Sequence, residues 1–355
     1  MTIPPGSTAP VTGLKRDLLV RHLRAWAPAA LQRSRRITYA HGYADLDDAA
    51  AAEAALRALA EQPGLVRGRE IVMVAVADDP ATASRRLAGA QRDTPASAAL
   101  VVHTVPGGTD ARLSVALKAA GATRTPLFGY LDASGAADPP ALATVAALTV
   151  GKPAEVLMVI AAPVVADLVG GSGDQEAGER LLGAGRWRPL RAAVPEQRRR
   201  LLIEAYRTAL HAAGFPLVSA VEVVQSDGAD GELLIFATMS GLSLESYKEE
   251  LWAAGESAGV GYLDPAAHRG SPVGLPSAPG PAPLRRELSA RLATAPGTVT
   301  DLRTFVLTET VYRAADATRA LTDMLAEGLL VREPEHGRLG GDVVIALAEP
   351  AAVSR

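Results

Sequence analysis

Between residues 37 and 237 the chain alternates short β-branched apolar runs with helical stretches, and that rhythm confines it to an α/β fold. The runs begin with Ile37 and continue at 70–77 (EIVMVAVA), 98–104, 125–131 and 155–160. Helices are predicted over 48–60, 80–91, 111–120 and 140–148, with helical segments up to residue 182. Most runs are apolar at consecutive positions, not at every second one. They therefore read as strands covered on both faces, as in a parallel sheet. Two later runs, 217–225 and 231–237, are separated only by Ser226-Asp227-Gly228-Ala229-Asp230, a Gly/Asp turn that predicts an antiparallel hairpin. The fold expected is a Rossmann-like α/β sheet, mostly parallel, with a terminal antiparallel hairpin.

The unit that opens this sheet is residues 37–47, a strand running into a turn with one glycine, Gly42. Ligands of such sheets sit at the carboxyl ends of the strands, where glycines let backbone approach them. Here Asp45, Asp47 and Asp48 follow the glycine. Three carboxylates at a helix start are expected to cap it and complement its dipole. They suit a phosphate poorly but do not repel a cationic sulfonium. His41 is the candidate general base of this turn. With His103 it is expected at the ends of adjacent strands, within reach of Asp45 and Asp132.

Composition narrows the chemistry. The 355 residues contain no cysteine, which excludes disulfides, thiolate catalysis, cysteine–zinc sites and iron–sulfur clusters held by this chain. The six histidines (His22, His41, His103, His211, His268 and His336) lack close metal spacing, so no metal site is expected. A formal net charge of −3 does not indicate a globally basic nucleic-acid binder. No apolar run reaches the roughly 20 residues of a membrane span. The first ten residues lack the pattern of a secretory signal, and a cytoplasmic protein is expected.

Several segments together carry a family resemblance. Tyr39 to Asp47 is similar to a degenerate Asp-Gly-Phe-Ala-Gly-x-Gly motif, with Gly42, Tyr43 and Ala44 kept, His41 in place of the motif's Asp, and Asp45 and Asp47 in place of its later glycines. Residues 126–135 (PLFGYLDASG) resemble Pro-x-Phe-x-Phe-Ile-Asp-Pro-Phe-Gly, and 155–160 (EVLMVI) resemble Glu-Val-Leu-Ile-Asn-Phe. Lys15, Leu23 and Trp26, the segment Gly183, Gly185 and Trp187, and Leu233 to Trp252 are similar too. These are segments of the three-Cys-motif partner proteins, which resemble class I S-adenosylmethionine-dependent methyltransferases. The resemblance implies that fold and a cofactor site at Gly42, Tyr43, Ala44, Asp45 and Asp78, with Asp132 facing a substrate. It also implies a protein partner, a radical S-adenosylmethionine protein that carries the three cysteines. The departures imply that S-adenosylmethionine binding is weakened or lost.

Outside this region, residues 1–13 read as a flexible arm, and 14–27 as a helix with Leu18, Leu19, His22, Leu23 and Trp26 near one face. A long helix, 195–213, follows the basic cluster's first members, Arg186 and Arg188, and itself carries Arg198, Arg199 and Arg200. That cluster, with Trp187 inside it, is a candidate surface for nucleic acid or an anionic partner. The methyltransferase-like domain spans 14–260 and the Pro/Gly-rich stretch 261–283 reads as a linker. In 284–355, three helices and a β-hairpin predict a winged helix. That module holds nine arginines and no lysine against ten acids, a poor balance for stand-alone DNA binding. Three functions follow: a partner or scaffold with a degenerate methyltransferase fold, an active methyltransferase with a divergent loop, or a DNA-associated regulator.

Overall fold

The computed structural model describes residues 9–62, 68–94, 99–161, 165, 168, 175–224, 231–263 and 281–348. Its main sheet has the strands β1 (Arg36–Gly42), β2 (Glu70–Ala77), β3 (Leu100–Pro106), β4 (Leu127–Asp132), β5 (Ala154–Ala161), β6 (Leu217–Val224), β7 (Glu232–Thr238) and β8 (Gly261–Leu263). Their order is β3-β2-β1-β4-β5-β7-β6-β8. The first five in that order are mutually parallel. β7 inserts antiparallel between β5 and β6, and β8 pairs antiparallel with β6. The result is the mixed, mostly parallel Rossmann-like sheet that the consecutive apolar runs require. The turn between the hairpin strands lies outside the described residues.

Helices cover both faces. On one lie α1 (Ala9–Arg33), α2 (Ala50–Ala60), α3 (Pro80–Asp93) and, further on, α9 (Gly241–Ala258). On the other lie α4 (Thr109–Ala119), α5 (Leu142–Ala147), α6 (Gln175–Leu182), α7 (Arg188–Ala192) and α8 (Pro195–Ala213). The expected stripe of α1 is buried: Leu18, Leu19 and Leu23 at 0 %, His22 at 1 % and Trp26 at 6 % exposure. The helix is longer than 14–27 because Val11 and Leu31 extend the same stripe at either end. The arm expected over 1–13 is therefore cut back, with residues 9–13 helical and 1–8 outside the described residues.

α1 runs against the direction of the parallel strands. Lys15 meets Asp132 at the carboxyl end of β4, whereas His22 meets Glu155 near the start of β5. One helix thus reaches both edges of the sheet.

The turn after β1 departs from the expected capped helix. α2 starts at Ala50, not at Asp48, and its cap residue Ala49 offers no side-chain hydrogen bond. Asp47, Asp48 and Ala49 have φ of 52°, 50° and 57°, three consecutive left-handed residues without a glycine. Such a conformation costs an L-residue roughly 1–2 kcal/mol, less for Asp. Replacing exposed Asp47 by Gly is expected to raise the unfolding free energy by about 0.5 kcal/mol, measured by urea denaturation. A loss of stability would show that the Asp47 side chain holds the turn.

The C-terminal unit comprises α10 (Pro281–Thr294), β9 (Gly297–Thr298), α11 (Val299–Glu309), α12 (Ala314–Ala326), β10 (Leu330–Glu333) and β11 (Val344–Leu347). Its sheet has the order β10-β11-β9. The stretch read as linker is shorter than 261–283: Gly261–Leu263 is β8, residues 264–280 lie outside the described residues, and Pro281 begins α10. Thr298 caps α11 through a capping box with Asp301. At the start of α12 the Asp316 carboxylate accepts from the Arg313 amide at 3.1 Å.

The unit's core is continuous with one face of the main sheet. α9 supplies the anchors. Buried Lys248 donates to the Thr310 carbonyl at 2.6 Å and Trp252 Nε1 to the Val311 carbonyl at 2.9 Å. Arg207 of α8 bonds Glu309 and the Thr308 carbonyl from the side.

Candidate functional site

The carboxyl edge of the parallel strands gathers the candidate residues into two adjoining groups. The first is the turn after β1. Tyr43, at φ 55°, donates its N–H to Thr109 Oγ1 at 2.8 Å. Ala44 N–H bonds the Val76 carbonyl at 2.9 Å. The Asp45 carboxylate accepts from the amides of Asp78 at 3.2 Å and Asp79 at 2.9 Å. Asp45 therefore ties the first loop to the second and does not cap α2. Asp79 caps α3 through Ala81 and Thr82. Thr82 holds the Asp79 carboxyl below the usual range. A Cβ on Gly42 would lie 2.6 Å from Leu131 Cδ2 and 2.7 Å from Thr109 Cγ2, so packing alone demands glycine there. Gly42, Tyr43, Ala44, Asp45 and Asp78 do converge, but chiefly upon one another and the adjoining strands.

The second group is a buried polar network. Lys15 Nζ lies 3.1 Å from Asp132 Oδ2, 2.9 Å from Glu232 Oε2 and 2.7 Å from Ser134 Oγ. Asp132 also accepts from Ser134 N at 3.1 Å, Ser134 Oγ at 2.6 Å and the Tyr130 hydroxyl at 3.1 Å. These donors use the roughly four acceptor sites a carboxylate has. Burial lowers the proton affinity of Lys15, but the Asp132 and Glu232 carboxylates more than offset that and hold its pKa above the usual value. Burial pushes Glu232 up, with Lys15 opposing.

His41 joins this network from β1. One ring nitrogen, Nδ1, is 2.7 Å from the Tyr39 hydroxyl, and its ring centroid is 5.2 Å from that of Tyr130. Burial lowers its pKa to about 4, with Asp132 pulling the other way, so the ring is neutral at neutral pH. Tyr39, His41 and Tyr130 are each at most 2 % exposed. Tyr130, which contacts the His41 ring, donates its hydroxyl to Asp132, so His41 reaches the carboxylate only through that tyrosine. His103 is not its neighbour: β2 lies between β1 and β3, and His103 is exposed on the edge strand. Strand order, invisible in the local pattern, decides this.

The Arg186 to Arg200 cluster is spread around α7 and α8. Arg186 bonds the carbonyls of Leu182 and Gly183. Arg188 and Arg191 each stand 5.9 Å from the Trp187 ring centroid. Arg198 bonds the Ala193 carbonyl, Arg199 pairs with buried Glu222, and Arg200 lies 3.7 Å from Glu204. Sequence reasoning left out Glu232 and Ser134 as partners of Lys15. The one available signal is Lys15 itself, a cation flanking the apolar stripe of α1. Among the described residues no set of His, Asp and Glu is arranged to hold a metal ion, and no helix is long and apolar enough to cross a membrane.

No known family profile matches the chain, and no curated protein does. Among solved structures, the crystal structure of EvdMO1 aligns with 62 % of this chain at 13 % identity and a TM-score of 0.35. The chain covers 40 % of the length of that protein.

Proposed function

We propose that the chain is built on a methyltransferase-type sheet with a closed cofactor edge and works as a protein partner or scaffold, not as a catalyst. The order β3-β2-β1-β4-β5-β7-β6 with an antiparallel β7 is that of class I S-adenosylmethionine-dependent methyltransferases, which supports the first part. The observation that carries the second is Asp45. Its carboxylate spans from the first loop to the Asp78 and Asp79 amides, the region where such a fold seats a nucleoside between β1 and β2. The neighbouring amides of Tyr43 and Ala44 are bonded within the protein as well. These residues do not suit S-adenosylmethionine, and Lys15 occupies the carboxylates at the substrate side.

The helix–strand–helix–helix–hairpin order of 281–347 supports the winged-helix reading. Leu329, Val331, Val344 and Leu347 of its hairpin region are 37–52 % exposed apolar groups of the kind that meet proteins, and its charge balance suits DNA poorly. The partner implied by the resemblance is a radical S-adenosylmethionine protein with three cysteines. Calorimetric titration of the full chain with S-adenosylmethionine tests the closed site: no saturable binding is expected up to about 1 mM, against the micromolar affinity of a working site. A micromolar dissociation constant would restore the active-methyltransferase reading.

A further inference from the structure

Clefts also open at the opposite, amino-terminal edge of the parallel strands. One, of about 140 Å³, lies between α1 and the starts of β4, β5 and α9, under Trp26, Pro126 and Pro153. Behind it stand His22 and Glu155, 1 % exposed each, with His22 Nε2 3.4 Å from Glu155 Oε2. Neither ring nitrogen of His22 nor Glu155 Oε2 has a hydrogen-bond partner in the protein. Ser243 satisfies the other carboxylate oxygen at 2.6 Å. Burying polar atoms unpaired costs free energy that a suitable ligand group recovers.

The other cleft, of about 420 Å³, is formed by the end of α1, the turn that follows and the start of β2. Arg33, Arg35 and Arg69 line it, and Arg33 lines the first cleft too, so the two adjoin. Arg69 is fixed by its bond to the Leu31 carbonyl. Neighbouring cations are engaged, Arg24 by Glu61 at 2.8 Å and Arg36 by Glu70 at 3.3 Å. Among the described residues no carboxylate pairs with Arg33 or Arg35. Guanidinium groups lining one cleft without carboxylates are the chemistry of oxyanion recognition.

We infer that this edge binds a small phosphorylated ligand with a flat apolar body, of which a nucleoside monophosphate is the simplest. The body lies along Trp26, Pro126 and Pro153, its polar edge reaches toward Glu155 and Ser243, and its phosphate is taken by Arg33, Arg35 and Arg69. The site is independent of the carboxyl edge, so it stands whether or not S-adenosylmethionine binds there.

The test is calorimetry of the full chain with adenosine monophosphate, adenosine and inorganic phosphate at constant ionic strength. The monophosphate is expected to bind about tenfold more tightly than either part, and the Arg33→Gln/Arg35→Gln double variant to lose about tenfold of that affinity while adenosine binding is unchanged. Both arginines are exposed, and circular dichroism checks that the variant folds. Equal affinity for monophosphate and phosphate overturns the inference, as does monophosphate binding that survives in the double variant. A single-stranded oligonucleotide that binds where the monophosphate does not also overturns it, in favour of a nucleic-acid surface.

Discussion

Replacing Lys15 by Met is expected to cost about 3 kcal/mol of unfolding free energy at pH 7, and less at pH 5. Lys15 is the cation that Asp132 and Glu232 share, and its side chain is 7 % exposed against 21 % and 22 % for theirs. Methionine keeps the stem's packing and removes the charge, leaving two carboxylates with only hydroxyl and amide donors. Burial already raises the Glu232 pKa above 4.5, and Lys15 is what opposes that. Without it the folded-state value climbs further. An acid whose folded pKa is raised weakens the fold above its unfolded pKa, and the penalty is relieved as pH falls through the folded value. The loss is therefore greatest at neutral pH and shrinks on acidification. Urea unfolding of both proteins at pH 7 and pH 5 measures it. An equal loss at both values would mean that Lys15 acts through packing alone. In the unaltered protein the alkaline limit of the Lys15 contribution is set by the lysine itself: the contribution is lost as pH rises through the elevated lysine pKa.

Replacing Trp252 by Ala is expected to cost about 4 kcal/mol, by lost burial and by freeing the C-terminal unit from α9. Trp252 is 4 % exposed, donates to the Val311 carbonyl at 2.9 Å, and lies 5.3 Å from the Arg313 guanidinium and 6.5 Å from the Tyr312 ring. Trp252→Phe keeps most of the apolar contact and leaves the Val311 carbonyl unpaired, so its cost is about 1–2 kcal/mol. Denaturation followed by far-ultraviolet circular dichroism separates the two variants. If the alanine variant loses less than about 1 kcal/mol, the unit is held elsewhere, through Lys248 or Arg207.

Much of the architecture is legible without coordinates. The runs at 70–77 and 155–160 are strands because valine and isoleucine at consecutive positions suit a pleated surface buried on both sides. Pro195 opens α8 and Gly214, at φ 107°, closes it. The left-handed run at Asp47, Asp48 and Ala49 was not legible, because none of the three is glycine and helix propensity alone would continue α2 backwards through them. The role of Asp45 was hidden for another reason. Its partners, the amides of Asp78 and Asp79, lie more than thirty positions away, and only the β1–β2 pairing brings them to it.

The sequence by itself determined the alternating elements, the hairpin near the sheet's end, the buried stripe of α1 and the absence of cysteine chemistry. These depend on local spacing, since burial on a helix or strand repeats with that element's own period. Tertiary structure alone decided that His103 stands away from His41, that Lys15 serves Asp132 and Glu232, and that Arg33, Arg35 and Arg69 share a cleft. Those contacts depend on strand order and on the direction in which α1 crosses the sheet. Both are set by packing summed over the whole core, a quantity that no short stretch of chain contains.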